Sequence, residues 1–118
     1  MNATTTDTRR APRRPVPEVI PVHDLMTEQT IGRLGNVSET GMLLLTGQNM
    51  PQDGLFQVNF SITDRSGARR PIDVGVHLLW KEAANAPDQW WAGFRFLTVS
   101  NEHLASLKQW IDDGLPAR

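Results

Sequence analysis

Phe56-Gln57-Val58-Asn59-Phe60-Ser61-Ile62 alternates apolar and polar side chains without a break. Side chains two apart in an extended chain face the same way, so Phe56, Val58, Phe60 and Ile62 line one face of a half-buried strand. Asp64-Arg65-Ser66-Gly67 then reads as a turn. Beyond it, Ile72, Val74, Val76, Leu78 and Trp80 share one face of a second strand, and Trp90, Ala92, Phe94 and Phe96 one face of a third. Upstream, residues 19–24 and 30–38 read as two strands joined through Met26-Thr27-Glu28. Gly32 and Gly35 mark a bulge or strong twist in the second of these. Residues 42–45 form a short apolar strand, and residues 48–54 and 85–88 are loops.

The pattern changes after Ser100, an expected N-cap with Glu102 in the positive first turn. Leu104, Leu107, Trp110 and Ile111 lie on one stripe of a helix that ends near Gly114 and Pro116. The expected fold is mainly β: six antiparallel strands closed into a barrel, which removes the sheet edges, with one C-terminal α-helix packed on it. Trp80, Trp90 and Trp110 are expected in the core. Trp91 has the opposite parity to Trp90 and belongs either on the outer surface or beneath the helix with Leu97. The expected organisation is a flexible basic arm over residues 1–15, the barrel over 16–99, the helix over 100–114 and a tail over 115–118.

At 118 residues, 39% of them hydrophobic, the chain has enough for one modest core. The formal net charge is -1, so there is no global pull toward nucleic acid or membrane. The charge is unevenly placed, however. The arm holds four of the twelve Lys/Arg, and residues 16–118 keep eight against twelve Asp/Glu, a net of -4. There is no cysteine, which excludes disulfides and thiolate metal sites. No apolar run is long enough to span a bilayer and the polar N-terminus has no signal-peptide core, so a cytoplasmic location is expected. His23, His77 and His103 have no metal-ligand spacing, and no Ser/His/Asp set or carboxylate pair suggests catalysis. Neither a metal, a cofactor nor an enzyme is expected.

Two segments carry the chemistry. Arg9-Arg10-Ala11-Pro12-Arg13-Arg14 offers planar cationic forks on a proline-rich arm. Asn36-Val37-Ser38-Glu39-Thr40-Gly41, 22 residues on from Arg14, offers an amide, a hydroxyl and a glycine backbone at a strand end. Together they suit a small, flat anion, and a guanine nucleotide fits, since arginine pairs bidentately with guanine O6 and N7 and with phosphate. Alone, the arginines read as a solvated tail and the second segment as an ordinary turn, with Gly41 supplying a positive φ. Their ordered pairing within a β-barrel pattern favours ligand binding.

The two segments resemble the PilZ domain family, whose pattern is Arg-x-x-x-Arg followed about twenty residues later by Asp/Asn-x-Ser-x-x-Gly. Arg10 with Arg14 and Arg9 with Arg13 both fit the first part, the distance to Asn36 favouring Arg10 and Arg14. Asn36, Ser38 and Gly41 fit the second. Val76-His77-Leu78-Leu79-Trp80 and Gly93-Phe94-Arg95-Phe96 are similar to the family's last strands, so the resemblance covers roughly residues 9–100. It implies a receptor for cyclic di-GMP, bound by Arg9, Arg10, Arg13, Arg14, Asn36, Ser38 and Gly41. In that role Asn36 pairs with guanine, Ser38 adds a hydroxyl on the same face, and Gly41 admits close approach of a base. A basic residue just before the arginine pair, here Arg9, implies a stacked ligand pair and two ligands per chain. Output is expected to pass through a downstream protein partner. Two other readings stay open: a PilZ-like adaptor that does not bind the ligand and works through Trp91 and the helix, and a small nucleic-acid-binding barrel. The acidic body argues against the second.

Overall fold

The alternating segments become seven strands: β1 (Arg14–Pro15), β2 (Pro21–Asp24), β3 (Gln29–Val37), β4 (Gly41–Thr46), β5 (Leu55–Thr63), β6 (Arg69–Ala83) and β7 (Trp90–Val99). One helix, α1 (Asn101–Asp113), follows. The computed structural model describes residues 12–115. Six strands close an antiparallel barrel in the order β3-β2-β5-β6-β7-β4, with β4 returning to β3. The two-residue β1 lies along the same edge of β3 as β2, pairing Arg14 with Val37 and Pro15 with Asn36. Arg14 and Pro15, which the sequence assigns to the arm, thus sit beside β3. Residues 1–11 lie outside the described residues, and Arg9 and Arg10 with them.

The inward faces of β5 and β6 supply the heart of the core, where Val58, Phe60, Ile62, Ile72, Val74, Val76 and Leu78 are fully buried. Phe56 meets Phe94 edge-to-face at 6.1 Å. The helix packs on β6 and β5 through Leu107, Trp110 and Ile111. Ser100 caps it as expected, its hydroxyl accepting from the His103 amide, and His103 Nδ1 accepts from the Asp73 amide of β6 at 3.1 Å. Every buried side-chain polar atom among the described residues has a hydrogen-bond partner.

Bulges decide what faces out. Opposite Val22-His23, β3 carries one extra residue, Ile31, next to Gly32. A second shift makes Gly35 the extra residue between Leu34, opposite Leu44, and Asn36, opposite Leu43. Both occur where glycines announced them. A third lies in β6, where Leu78 faces Phe94 but Trp80 faces Gly93, leaving Leu79 as the extra residue. This bulge corrects the expected place of Trp80. The inserted Leu79 reverses the facing of everything after it, and Trp80 emerges on the outside, 43% exposed. Trp110 is core as expected, and Trp90 is half-buried. Trp91 takes the outer surface, its ring against Gly35, while the helix packs elsewhere.

Candidate ligand site

The pairing registers place four residues in one row across the outer wall. Asn36 of β3 faces Leu43 of β4, Leu43 faces Gly93 of β7, and Gly93 faces Trp80 of β6. Three interstrand steps separate the ends, so Asn36 and Trp80 stand roughly 14 Å apart along the row. The two end residues are outward for the same reason, a bulge immediately before each. Gly93 is small for a reason seen here. The Trp80 indole lies across it, and a Cβ at Gly93 would collide with the ring. The row thus has an amide at one end, an aromatic plate at the other and an apolar floor between.

Arg13 completes it. Its Nη1 donates to Asn36 Oδ1 at 2.8 Å. With Met42, Leu79 and Phe94, these residues line a cavity of about 280 Å³. Where Arg13 leans on the wall, desolvation lowers the pKa of its guanidinium. The group stays protonated at any ordinary pH. Its one side-chain partner is a neutral amide oxygen, and among the described residues no carboxylate pairs with it. Among the described residues, such a site holds a cation with no carboxylate partner, beside an amide whose N–H donors have no partner there. That chemistry favours a flat anion with polar edges.

The rest of the second segment turns inward. Ser38 is 1% exposed. Its Oγ accepts from the Thr40 amide at 3.1 Å, lies 3.1 Å from Thr40 Oγ1, and its backbone N–H donates to the Gly41 carbonyl at 2.8 Å. The hydroxyl therefore builds the β3–β4 turn, a local serine turn, and does not share an outward face with Asn36. No residue of this turn has a positive φ. Gly41 is small because a Cβ there would run into the Phe94 carbonyl of β7. Its missing side chain makes room for a strand.

Arg14 also leaves the wall. Its side chain is engaged with α1 rather than with Asn36. Of the seven residues singled out in the sequence, the structure brings Arg13 and Asn36 together on the outer wall. It places Ser38 and Gly41 in the supporting turn and Arg14 on the helix. Sequence reading missed Trp80, Leu43 and Gly93. The signal available was the unbroken Leu78-Leu79-Trp80 run, which interrupts alternation where a bulge sits.

Nowhere among the described residues do three or more His, Asp or Glu gather as a metal site, and no helix is long and apolar enough to cross a membrane. A search of curated proteins finds no match. Among solved structures, the fold is similar to the Bacillus subtilis inhibitor of motility MotI/DgrA, with a TM-score of 0.71 at 11% identity over 88% of this chain. This chain spans 50% of the length of that one. It is also similar to the PilZ domain of YcgR from Escherichia coli with c-di-GMP, at TM-score 0.62 and 20% identity over 90% of each chain. The whole YcgR in complex with c-di-GMP matches at TM-score 0.67 and 22% identity, over 89% of this chain and 45% of that one. At these identities the likeness establishes the barrel with its C-terminal helix. The family model for the PilZ domain matches residues 7–113, nearly the full length, and the chain belongs to the PilZ domain family.

Proposed function

We propose that this protein is a non-enzymatic receptor for cyclic di-GMP that signals through a partner protein. The observation that carries the reading is the outer-wall row Arg13–Asn36–Leu43–Gly93–Trp80, two of whose members belong to the sequence segments that mark the family. Arg13 supplies a fork for a phosphodiester or for guanine O6 and N7. Asn36, steadied by Arg13, donates its amide hydrogens to a guanine edge and keeps a lone pair for a guanine N–H. Trp80 offers a flat face on which a base stacks, and Gly93 and Leu43 leave the floor low enough for it to reach. Ser38 and Gly41 act on the ligand indirectly, by holding the turn that aims Asn36. One protein of similar fold, YcgR, is described with c-di-GMP both as its PilZ domain and whole, which supports the choice of nucleotide.

Calorimetric titration of the full chain with cyclic di-GMP, beside GTP and a DNA oligonucleotide, tests this reading. Saturable binding of cyclic di-GMP alone is expected. Absence of heat with cyclic di-GMP at high micromolar concentration, or tighter binding of the oligonucleotide, contradicts it.

A further inference from the structure

The bulge at Leu79 turns Trp80 outward, and a loop far from it in sequence runs beside that bulge. Residues 47–54 join β4 to β5. They flank the stretch of β6 that β5 does not reach, since the β5–β6 ladder ends where Leu55 faces His77. Loop and strand are bonded at one position after another. His77 Nε2 lies 3.1 Å from Asp53 Oδ1, and the Leu78 amide donates to the Gly54 carbonyl at 2.9 Å. Lys81 Nζ donates to the Met50 carbonyl at 2.6 Å and to Asn49 Oδ1 at 2.7 Å. Between these, Gln52 Nε2 donates to the Leu79 carbonyl at 2.8 Å.

The Gln52 bond differs from the rest in what it holds. Leu79 is the inserted residue, with no partner in β7, between Leu78 opposite Phe94 and Trp80 opposite Gly93. An inserted residue drops out of the ladder, and its backbone groups need partners elsewhere. Gln52 provides one for the carbonyl. The loop gives Gln52 a fixed base, because Met50 is buried in the core and Lys81 ties its carbonyl down. The place of the insertion matters. Moved one residue along, it would set Leu79 opposite Gly93 in the position of Trp80. Leu79 and Trp80 both line the outer-wall cavity, whereas Gln52 does not.

We propose that Gln52 is a positioning residue for the ligand: its bond to the Leu79 carbonyl fixes the insertion at Leu79 and so keeps the Trp80 indole on the outer wall, across Gly93, where a base stacks. The proposal rests on the cyclic di-GMP reading of that wall. Gln52 acts through the strand and makes no contact with the ligand. Its effect on binding therefore exists only while residue 80 is a tryptophan.

Two variants of the full chain test this. Gln52→Ala removes the side chain, and Gln52→Glu keeps its shape but puts an acceptor oxygen where the donor was. Gln52 is exposed, so both leave the core untouched. The Trp80 indole N–H resonance, identified by its loss in Trp80→Ala, is recorded without ligand together with amide exchange of residues 79–82. Both Gln52 variants should displace the resonance and quicken exchange. Calorimetry with cyclic di-GMP should then show affinity lowered roughly fivefold in each. Added to Trp80→Ala, Gln52→Ala should cost nothing further. An unmoved Trp80 resonance in Gln52→Glu overturns the proposal. So does wild-type affinity in both Gln52 variants, or a loss that persists in full on the Trp80→Ala background, which would make Gln52 a direct contact. Should wild type bind no cyclic di-GMP, the site reading fails by itself, and the ligand-free resonance and exchange still decide whether Gln52 fixes the bulge.

Discussion

The outer wall at Asn36 and the turn that starts two residues later at Ser38 belong to one short motif, yet their surroundings differ. Asn36 follows a bulge, faces outward and holds an arginine that has no carboxylate partner among the described residues. Ser38 is sealed in, and its hydroxyl and backbone N–H are committed to the turn. Gly41 is committed too, to the passage of β7. The motif thus divides into a half that meets solvent and a half that fixes the backbone behind it. The same division runs through the arginines, with Arg13 on the wall and Arg14 on the helix. Residues adjacent in sequence are separated in task wherever the strand alternates or a bulge intervenes.

Gly41→Val is the harshest way to probe the buried half. The new side chain meets the Phe94 carbonyl, and overpacking of this kind costs about 1–3 kcal/mol. Thermal unfolding should show a midpoint lower by roughly 4–8 °C for each kcal/mol lost. A variant as stable as wild type would mean that β7 yields at this point. On the exposed half, Arg13→Ala should weaken cyclic di-GMP by about 1–3 kcal/mol, roughly ten- to a hundredfold, with the unfolding midpoint unmoved. Trp80→Ala should act similarly, by about 1 kcal/mol or somewhat more, through loss of stacking. Calorimetry on the two folded variants gives both values, and wild-type affinity in either removes that residue from the site.

The mildest expected effect lies far from the wall, at the β5–β6 turn. Hydrogen bonds from Ser66 and then Arg70 hold the Asp64 carboxyl below the usual carboxylate range. Its pKa is depressed in the folded state, so its contribution is complete above the unfolded value near about 4 and is lost as pH falls below that. The pH dependence of unfolding should therefore be shallower on the acid side in Asp64→Asn. An unaltered acid limb would show that the turn contributes nothing there.

Much of this was legible in the residues. Alternation in 56–62 and 72–78 named the strands and their inner faces, and Gly32 and Gly35 announced their bulges. Ser100 and the Leu107, Trp110 and Ile111 stripe named the helix. The Arg13 and Asn36 partnership lay within the two segments picked out at the start. What was hidden depended on register. Parity carried Trp80 into the core because nothing short of strand pairing shows that Leu79 is an inserted residue. Ser38 looked like a neighbour of Asn36 by spacing, but the chain leaves β3 after Val37 and begins to turn. Arg14 gives no sign of a separate task in the sequence, since its partner, Trp110, lies 96 residues away.

Titrating Asn36→Ala and Ser38→Ala side by side with cyclic di-GMP, and melting both, tests the division of the motif most directly. Asn36→Ala should bind roughly tenfold or more weakly at an unchanged unfolding midpoint. Ser38→Ala should lose on the order of 1 kcal/mol of stability while the folded protein binds nearly as wild type. A folded Ser38→Ala protein that loses as much affinity as Asn36→Ala, or an Asn36→Ala protein with wild-type affinity, would contradict the account.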